Sequence, residues 1–205
     1  MRIPEGKAKY YILFTVLLGA LVYFFIADAG HDEPRLIIVG DSLSTTHESW
    51  PNYLRQMAPR WNVHVMAQNG RTIRDFSLPR DLWTTGRRNE TVVYFLGGND
   101  ILQRNPLAHA RHRLEVHINF LLERNFKVLL MVPPTFGLAP NVYGLSNEEH
   151  RALIESYRGT RPNLWVYDVD DVWDNEQTYD NIHPNAELSL TIAMAVNYVL
   201  LTNIQ

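Results

Sequence analysis

Five short runs of apolar, largely β-branched residues recur along the chain, and each ends close to glycine, proline, aspartate or asparagine. These runs occupy residues 36–39, 63–66, 91–96, 127–132 and 164–167. Continuous apolar runs bounded by turn residues are typical of strands buried on both faces. Stretches with helical character lie between or after them, at residues 51–58, 74–83, 106–124, 146–157 and 185–202. This alternation predicts a parallel sheet covered by helices on both faces, with right-handed crossovers.

The composition excludes several classes of function. The net charge of −3, without any basic block, gives no reason to expect nucleic acid as a partner. Because the chain has no cysteine, disulfides, thiolate metal sites and a cysteine nucleophile are all excluded. No glycine-rich phosphate-binding motif is present, so we do not expect a bound nucleotide. We also expect no other cofactor and no metal.

The first thirty residues differ from the rest of the chain. Arg2, Lys7 and Lys9 precede an apolar run over residues 10–27, and acidic residues follow it. A helix of that length spans roughly 27 Å, close to the thickness of a bilayer's hydrocarbon core. We therefore predict that residues 1–30 form a hydrophobic membrane anchor or a signal peptide, and that residues 34–205 form one domain.

The charge asymmetry around the apolar run predicts the side of the membrane on which the domain lies. Positive charge before the run favours an inside N-terminus and an exported body, on the periplasmic or extracellular side of the cell membrane. The length of the run favours a single-pass anchor. The Ala27-Asp28-Ala29 sequence resembles a cleavage site, so secretion after removal of a signal peptide is the alternative.

Polar residues and glycines follow three of the predicted strands, in Gly40-Asp41-Ser42, Asn69-Gly70 and Gly97-Gly98-Asn99-Asp100. In parallel α/β sheets, ligands bind beyond the carboxyl ends of the strands. These segments are far apart in sequence, but the predicted fold gathers them at one edge of the sheet.

Ser42, His183 and Asp180 have the residue types of a catalytic triad. A serine hydroxyl is a poor nucleophile unless a neighbouring base accepts its proton, and His183 is the candidate base. Asp180 precedes His183 by three positions, so its carboxylate can orient the ring, while Pro184 restricts the backbone of His183. Taken alone, Ser42 could equally cap a helix; the three residues together favour catalysis.

An oxyanion hole needs hydrogen-bond donors at the same edge. The backbone N–H groups of Ser42 and Gly70 and the side-chain amide of Asn99 could supply three. Asn99 could instead belong to a turn, and we interpret Asp100 as a structural residue that binds nearby backbone amides.

Four blocks of this sequence match, in order, those of the SGNH (GDSL) hydrolase superfamily: Gly40-Asp41-Ser42-Leu43, Gly70, Gly97-Gly98-Asn99-Asp100 and Asp180-Asn181-Ile182-His183. The chain most resembles the small bacterial branch that contains the acyl thioesterase/lysophospholipase. The resemblance implies a three-layer α/β/α, flavodoxin-like fold with a central parallel sheet. It also implies that Ser42, Gly70, Asn99 and His183 are the four name-giving residues, with Asp180 completing the triad.

One departure concerns the pocket. Arg71 follows the donor glycine, where a bulky cation is expected to narrow the substrate site. Phe136 and Tyr143, in the loop after the fourth strand, are candidates for contact with substrate, although the loop could be only an ordered surface segment.

Two groups of residues resemble metal sites but do not fit one. His109, His112 and His117 lie beside arginines, so we interpret them as an exposed helix face. Asp168, Asp170 and Asp171 lack the spacing and the glycine of a calcium loop.

We therefore expect a serine hydrolase that cleaves a carboxylic ester or thioester, such as a lysophospholipid or an acyl ester, through an acyl-Ser42 intermediate. One alternative is an O-acetyl esterase acting on envelope polysaccharide. Another is a non-catalytic module that binds an acyl or glycan ligand, because a fold does not dictate a function.

Overall fold

A computed structural model of the chain describes residues 34–45, 48–78, 90–137 and 146–204. The predicted N-terminal helix, Tyr143 and the second half of the helix expected at residues 74–83 lie outside the described residues, so these predictions remain untested.

The described part of the domain contains one sheet of five strands, all parallel, in the order β2-β1-β3-β4-β5. The strands are β1 Arg35–Gly40, β2 Asn62–Ala67, β3 Thr91–Phe95, β4 Lys127–Val132 and β5 Leu164–Asp168. In the register of the sheet, Gly40 lies beside Ala67 on one side and beside Phe95 on the other. The segments that follow these strands therefore leave the sheet at the same edge, as the sequence predicted.

Helices cover both faces of the sheet and confirm the α/β fold class. The α-helices are α1 Trp50–Met57, α2 Gly98–Leu102, α3 Leu107–Glu123, α4 Ser146–Glu155 and α5 Ala186–Asn203. Single 3₁₀ turns occur at Ser42–Ser44, Val169–Asp171 and Asn175–Gln177. None of the helices within the described ranges is long and apolar enough to cross a membrane.

Alternate residues of each strand face two separate cores, because successive side chains of a strand point to opposite faces. Ile37 and Val39 of β1 pack in the core that α3 and α4 cover. Leu36 and Ile38 pack in the core that α1 and α5 cover. A sheet buried on both faces explains why the strands appear in the sequence as continuous apolar runs.

The sequence predicted a helix from residue 74, but residues 73–75 form a turn. Thr72 and Asp75 explain the difference. The Thr72 hydroxyl donates to Asp75 Oδ2 at 2.6 Å and accepts a bond from the Asp75 backbone N–H at 3.2 Å. Such local side-chain bonds compete with the hydrogen bonds of a helix.

Candidate active site

Ser42 lies in a 3₁₀ turn that begins directly after β1. Asp41 caps this turn, because its Oδ1 accepts the backbone N–H of Leu43 at 3.0 Å. A Cβ added to Gly40 would lie 2.6 Å from Ser44 Oγ and 2.8 Å from Ser44 Cβ. The glycine is needed because the turn folds back closely on the strand.

The structure brings Ser42, His183 and Asp180 into one hydrogen-bonded series. His183 Nε2 lies 3.0 Å from Ser42 Oγ, and His183 Nδ1 lies 2.7 Å from Asp180 Oδ2. When Nδ1 carries its proton toward Asp180, Nε2 is free to accept the proton of the serine hydroxyl. The geometry therefore allows a base and its orienting carboxylate to act on Ser42.

A tight loop holds the histidine and the aspartate. Asp180 Oδ1 accepts the backbone N–H groups of Ile182 at 3.1 Å and His183 at 2.7 Å. Asn181 has a φ of 65°, a conformation that asparagine tolerates better than most residues. The loop closes where the Tyr179 N–H donates to the His183 carbonyl at 2.8 Å.

The hydrogen bonds of this loop also affect the charge of Asp180. Partial burial raises the pKa of its carboxyl group. The bonds from the His183 ring and from the backbone N–H groups of His183 and Ile182 outweigh burial, so the pKa lies below the usual 3.8. Asp180 therefore remains a carboxylate at neutral pH and can stabilise a protonated His183.

Asn99 lies in the first turn of α2, at the same edge of the sheet. Its Nδ2 is 3.1 Å from Asp41 Oδ2 and 3.2 Å from the Arg71 carbonyl oxygen. Both N–H bonds of the amide therefore have protein acceptors, in addition to the role as oxyanion donor that the sequence suggested. The side chain lies at the expected edge and also joins two loops.

The backbone N–H groups of Ser42 and Gly70 have no acceptor among the described residues. Gly70 has a φ of 72°, and a Cβ added to it would meet nothing within 4 Å. This backbone conformation is the reason that a glycine is needed.

Asp41 is a residue whose importance the sequence argument missed. It is buried, and it binds both the Ser42 turn through Leu43 and α2 through Asn99. Burial raises its pKa from 3.8 to about 7, although the bonds from Leu43 and Asn99 and the nearby His183 oppose the rise. An aspartate directly before a short helical turn is an N-cap signal that could have identified it.

Asp100 is structural, as predicted. It is fully buried, and its Oδ2 accepts the backbone N–H of Ile73 at 2.8 Å. Burial raises the pKa of this carboxyl group, and the bond from Ile73 partly opposes the rise.

Arg71 does not project freely beside Gly70. Its guanidinium group donates to the Met66 carbonyl at 2.7 Å and to Gln68 Oε1 at 3.0 Å, and it lies over the Phe76 ring. These contacts tie the side chain to the end of β2, and the expected narrowing of the substrate site by Arg71 stays a prediction.

Phe136 is only 7% exposed. Its ring packs edge-on against Trp173, and a Cβ on Gly98 would lie 3.2 Å from it. It therefore supports the start of α2 behind the site, and any contact with substrate would be through a small exposed surface.

The aspartates after β5 bind an arginine from α4. Arg151 pairs with Asp168 at 2.7 Å and with Asp170 at 2.8 Å, and Asp170 also accepts the Thr135 backbone N–H at 2.7 Å. This network holds the loop that precedes Phe136 in place. The positive charge that balances the two carboxylates comes from Arg151. The described residues contain no cluster of three or more potential ligands for a metal ion.

One of the three histidines on α3 differs from the prediction. His109 and His112 are exposed, as expected, but His117 is buried and its Nδ1 lies 2.9 Å from the Tyr94 hydroxyl. Burial lowers the pKa of His117 to about 4, so it is neutral at neutral pH. His117 is buried because it lies on the side of α3 that faces the core, although arginines flank this part of the helix in the sequence.

The profile of the GDSL-like Lipase/Acylhydrolase family matches residues 38–188, which include Ser42, Gly70, Asn99, Asp180 and His183. The chain belongs to this family. As a GDSL-like acylhydrolase, it is a carboxylic ester hydrolase. No curated protein sequence matches the chain.

Solved structures of GDSL-type enzymes have the same fold. The acetyl xylan esterase AlAXEase has a TM-score of 0.70 and 17% identity, over 81% of this chain and 99% of its own. A member of the lipolytic protein G-D-S-L family from Veillonella parvula DSM 2008 has a TM-score of 0.69 and 17% identity, over 82% and 98%. TesA has a TM-score of 0.65 and 22% identity, over 81% and 97%. At these identities the likeness establishes the fold alone.

Proposed function

We propose that Ser42 is the nucleophile of this hydrolase, with His183 as general base and Asp180 as the residue that orients it. The observation that carries the proposal is the series of hydrogen bonds from Ser42 Oγ through both nitrogens of His183 to Asp180. Ser42 Oγ attacks the carbonyl carbon of an ester or thioester while His183 Nε2 takes its proton. His183 then gives this proton to the leaving alcohol or thiol, and acyl-Ser42 remains.

A water molecule completes the cycle. His183 accepts a proton from the water as its oxygen attacks the acyl carbon, and the proton returns to Ser42 Oγ when the carboxylic acid leaves. The Ser42 and Gly70 N–H groups and Asn99 Nδ2 would stabilise the negative oxygen in both steps. Because Asn99 already binds Asp41 and the Arg71 carbonyl, its amide must weaken one of these bonds to reach the oxyanion.

For the substrate we propose an acyl ester, thioester or lysophospholipid at the surface of the cell membrane. The apolar run over residues 10–27 supports this proposal, since it would hold the domain on the exported side within a few residues of lipid. Loss of the leader as a signal peptide would instead release the enzyme.

A second candidate is removal of O-acetyl groups from an envelope polysaccharide. It is supported by the structural similarity to an acetyl xylan esterase, whose name states its substrate. Initial rates on p-nitrophenyl esters of increasing chain length separate the two candidates. A sharp optimum at acetate favours deacetylation, and kcat/KM that rises with chain length favours lipid.

The serine mechanism is tested with Ser42→Ala. We expect this variant to lose essentially all turnover of p-nitrophenyl acetate and all labelling by a fluorophosphonate probe, with almost no change in Tm. Ser156→Ala removes a hydroxyl whose one hydrogen bond among the described residues is to the Leu153 carbonyl near the end of α4, and this variant should keep both the turnover and the labelling. Turnover retained by Ser42→Ala would rule out the proposed nucleophile, and a folded wild-type chain that does not react with the probe would favour a non-catalytic binding module.

A further inference from the structure

The outer face of α5 carries three large apolar side chains in one line. Leu190 is 39% exposed, Met194 58% and Tyr198 68%, and their spacing of four residues places them one turn apart on the helix. These three residues are called the apolar stripe below. Leu201, which is 43% exposed, lies about one turn further along. We propose that the apolar stripe rests on the surface of a lipid bilayer, an inference that depends on the membrane anchor proposed above.

The stripe is not needed to hold α5 on the domain. The opposite side of the helix does that, through Leu188, Ile192, Val196 and Leu200, which are all fully buried. The only charged residue of α5 is Glu187, in its first turn. An exposed apolar line with a tyrosine and without charge suits the boundary between headgroups and acyl chains, where aromatic hydroxyls stay hydrated.

The course of the chain indicates why this face would meet lipid. The described domain begins at Pro34, whose carbonyl accepts the Asn62 N–H where β1 and β2 start. Ser42 lies beyond the other end of β1, about 20 Å away for a strand of six residues. If the edge at Pro34 faced the membrane, the active edge would point away from the lipid.

α5 connects these two edges. It begins three residues after His183, beside the active site, and its 18 residues extend about 27 Å across the sheet. A domain lying on α5 therefore has both Ser42 and Pro34 close to the bilayer. The six residues between Ala27 and Pro34 can span roughly 20 Å, which is enough for this orientation.

A lipid surface fits the stripe better than a second copy of the chain. A stable protein interface uses about 20–30 residues on each partner, and the stripe offers three. The stripe carries no lysine or arginine that would select anionic headgroups, so a zwitterionic bilayer is the matching surface.

The absence of cysteine allows a direct test on the full-length chain. Met194→Cys would carry an environment-sensitive fluorophore in phosphatidylcholine vesicles that contain nitroxide-labelled lipid. The matched control is Val116→Cys, because Val116 is 42% exposed on α3, in the layer on the other side of the sheet. We expect nitroxide lipid to quench the label at position 194 at least threefold more than the label at 116.

Equal quenching at the two positions, in chains that float with the vesicles, overturns the proposal. So does a label at 194 that is shielded from aqueous iodide but not quenched by nitroxide lipid, because that combination indicates contact with protein. If the chains do not float with the vesicles, both the proposed membrane anchor and the proposed contact of the apolar stripe with lipid are wrong.

Failure of the proposed chemistry gives a different result. Quenching does not require catalysis, so adding Ser42→Ala to the Met194→Cys chain should leave the pattern unchanged. If wild-type Ser42 proves unreactive while position 194 is still quenched, the serine mechanism fails and the lipid contact stands.

Discussion

At the scale of single residues, Asp41 connects the parts of the candidate active site. Its carboxylate binds the turn that carries Ser42 and the amide of Asn99 in α2. The sequence identified Ser42, Asn99 and His183 from residue type and order. It could not show that Asn99 donates to Asp41, because that bond joins residues 58 positions apart and depends on the register of β1 and β3.

Asp41 should make the stability of the domain fall as the pH rises from about 4 to 7. Its pKa is 3.8 in the unfolded chain and about 7 in the folded one, so in this window the folded state binds a proton that the unfolded state releases. Urea denaturation at pH 4.5 and 7.5 should show that Asp41 lowers the free energy of unfolding of the wild-type chain by on the order of 3 kcal/mol over this interval, and that Asp41→Asn lacks this decrease. Asp174→Asn, at an exposed turn cap, should keep the slope; an unchanged slope in Asp41→Asn would contradict the assignment.

Asn99→Ala should lower kcat by about 10²–10³ with a smaller change in KM, as for loss of one oxyanion donor. The variant also loses the bonds to Asp41 and the Arg71 carbonyl, so rates must be compared at equal folded fractions. Asn105→Ala is the control. It removes a nearby bond to Asp100 and should affect stability without a comparable loss of kcat. Equal kcat losses in the two variants would assign Asn99 a structural role.

At the scale of elements, the long and periodic segments were predictable and the short ones were not. The apolar run at residues 127–132 is β4, and the helix expected at 106–124 is α3, with Pro106 and Arg124 as its caps. The five-residue α2 was missed because its glycines, Gly97 and Gly98, are also typical of a simple turn. The prediction that His117 is exposed was wrong, because it was based on the arginines nearby in the sequence. The position of His117 on the helix places it on the side that faces the core.

The junction between β1 and the Ser42 turn has no room for a side chain. Gly40→Ala should displace the turn, lowering kcat at least tenfold and reducing stability by about 1–3 kcal/mol, the usual cost of overpacking. The double variant Gly40→Ala/Ser44→Gly removes the two atoms that the new Cβ would meet. Enzyme kinetics and thermal denaturation of both should show partial rescue in the double variant; strictly additive losses would mean that the two positions do not interact.

At the scale of the whole molecule, the parallel topology explains why so much of the site could be predicted. Rules for crossovers and strand ends gather distant segments at one edge, so the order of motifs along the chain was sufficient to group them. The substrate could not be predicted in this way, since it depends on loop side chains such as Phe136, whose ring turns inward onto Gly98 and Trp173. The exposed face of α5 could not be predicted either, because it depends on which side of the helix the sheet covers.

The full-length chain is expected to stay with membranes when expressed in a bacterial host. The apolar run over residues 10–27 should resist extraction by alkaline carbonate, and N-terminal sequencing should recover the start of the chain. A soluble product that begins near residue 30 would identify the leader as a cleaved signal peptide.

The hydrogen bond between Ser42 and His183 joins residues that are 141 positions apart. During synthesis, Ser42 therefore emerges long before the loop that carries its partners, and β1 must wait for the segment after β5 before the site is complete. A nascent or truncated chain can form the 3₁₀ turn and part of the sheet without gaining hydrolytic activity. Under the proposed mechanism, ester cleavage can begin only after the segment that carries His183 has reached the edge of the sheet where Ser42 lies.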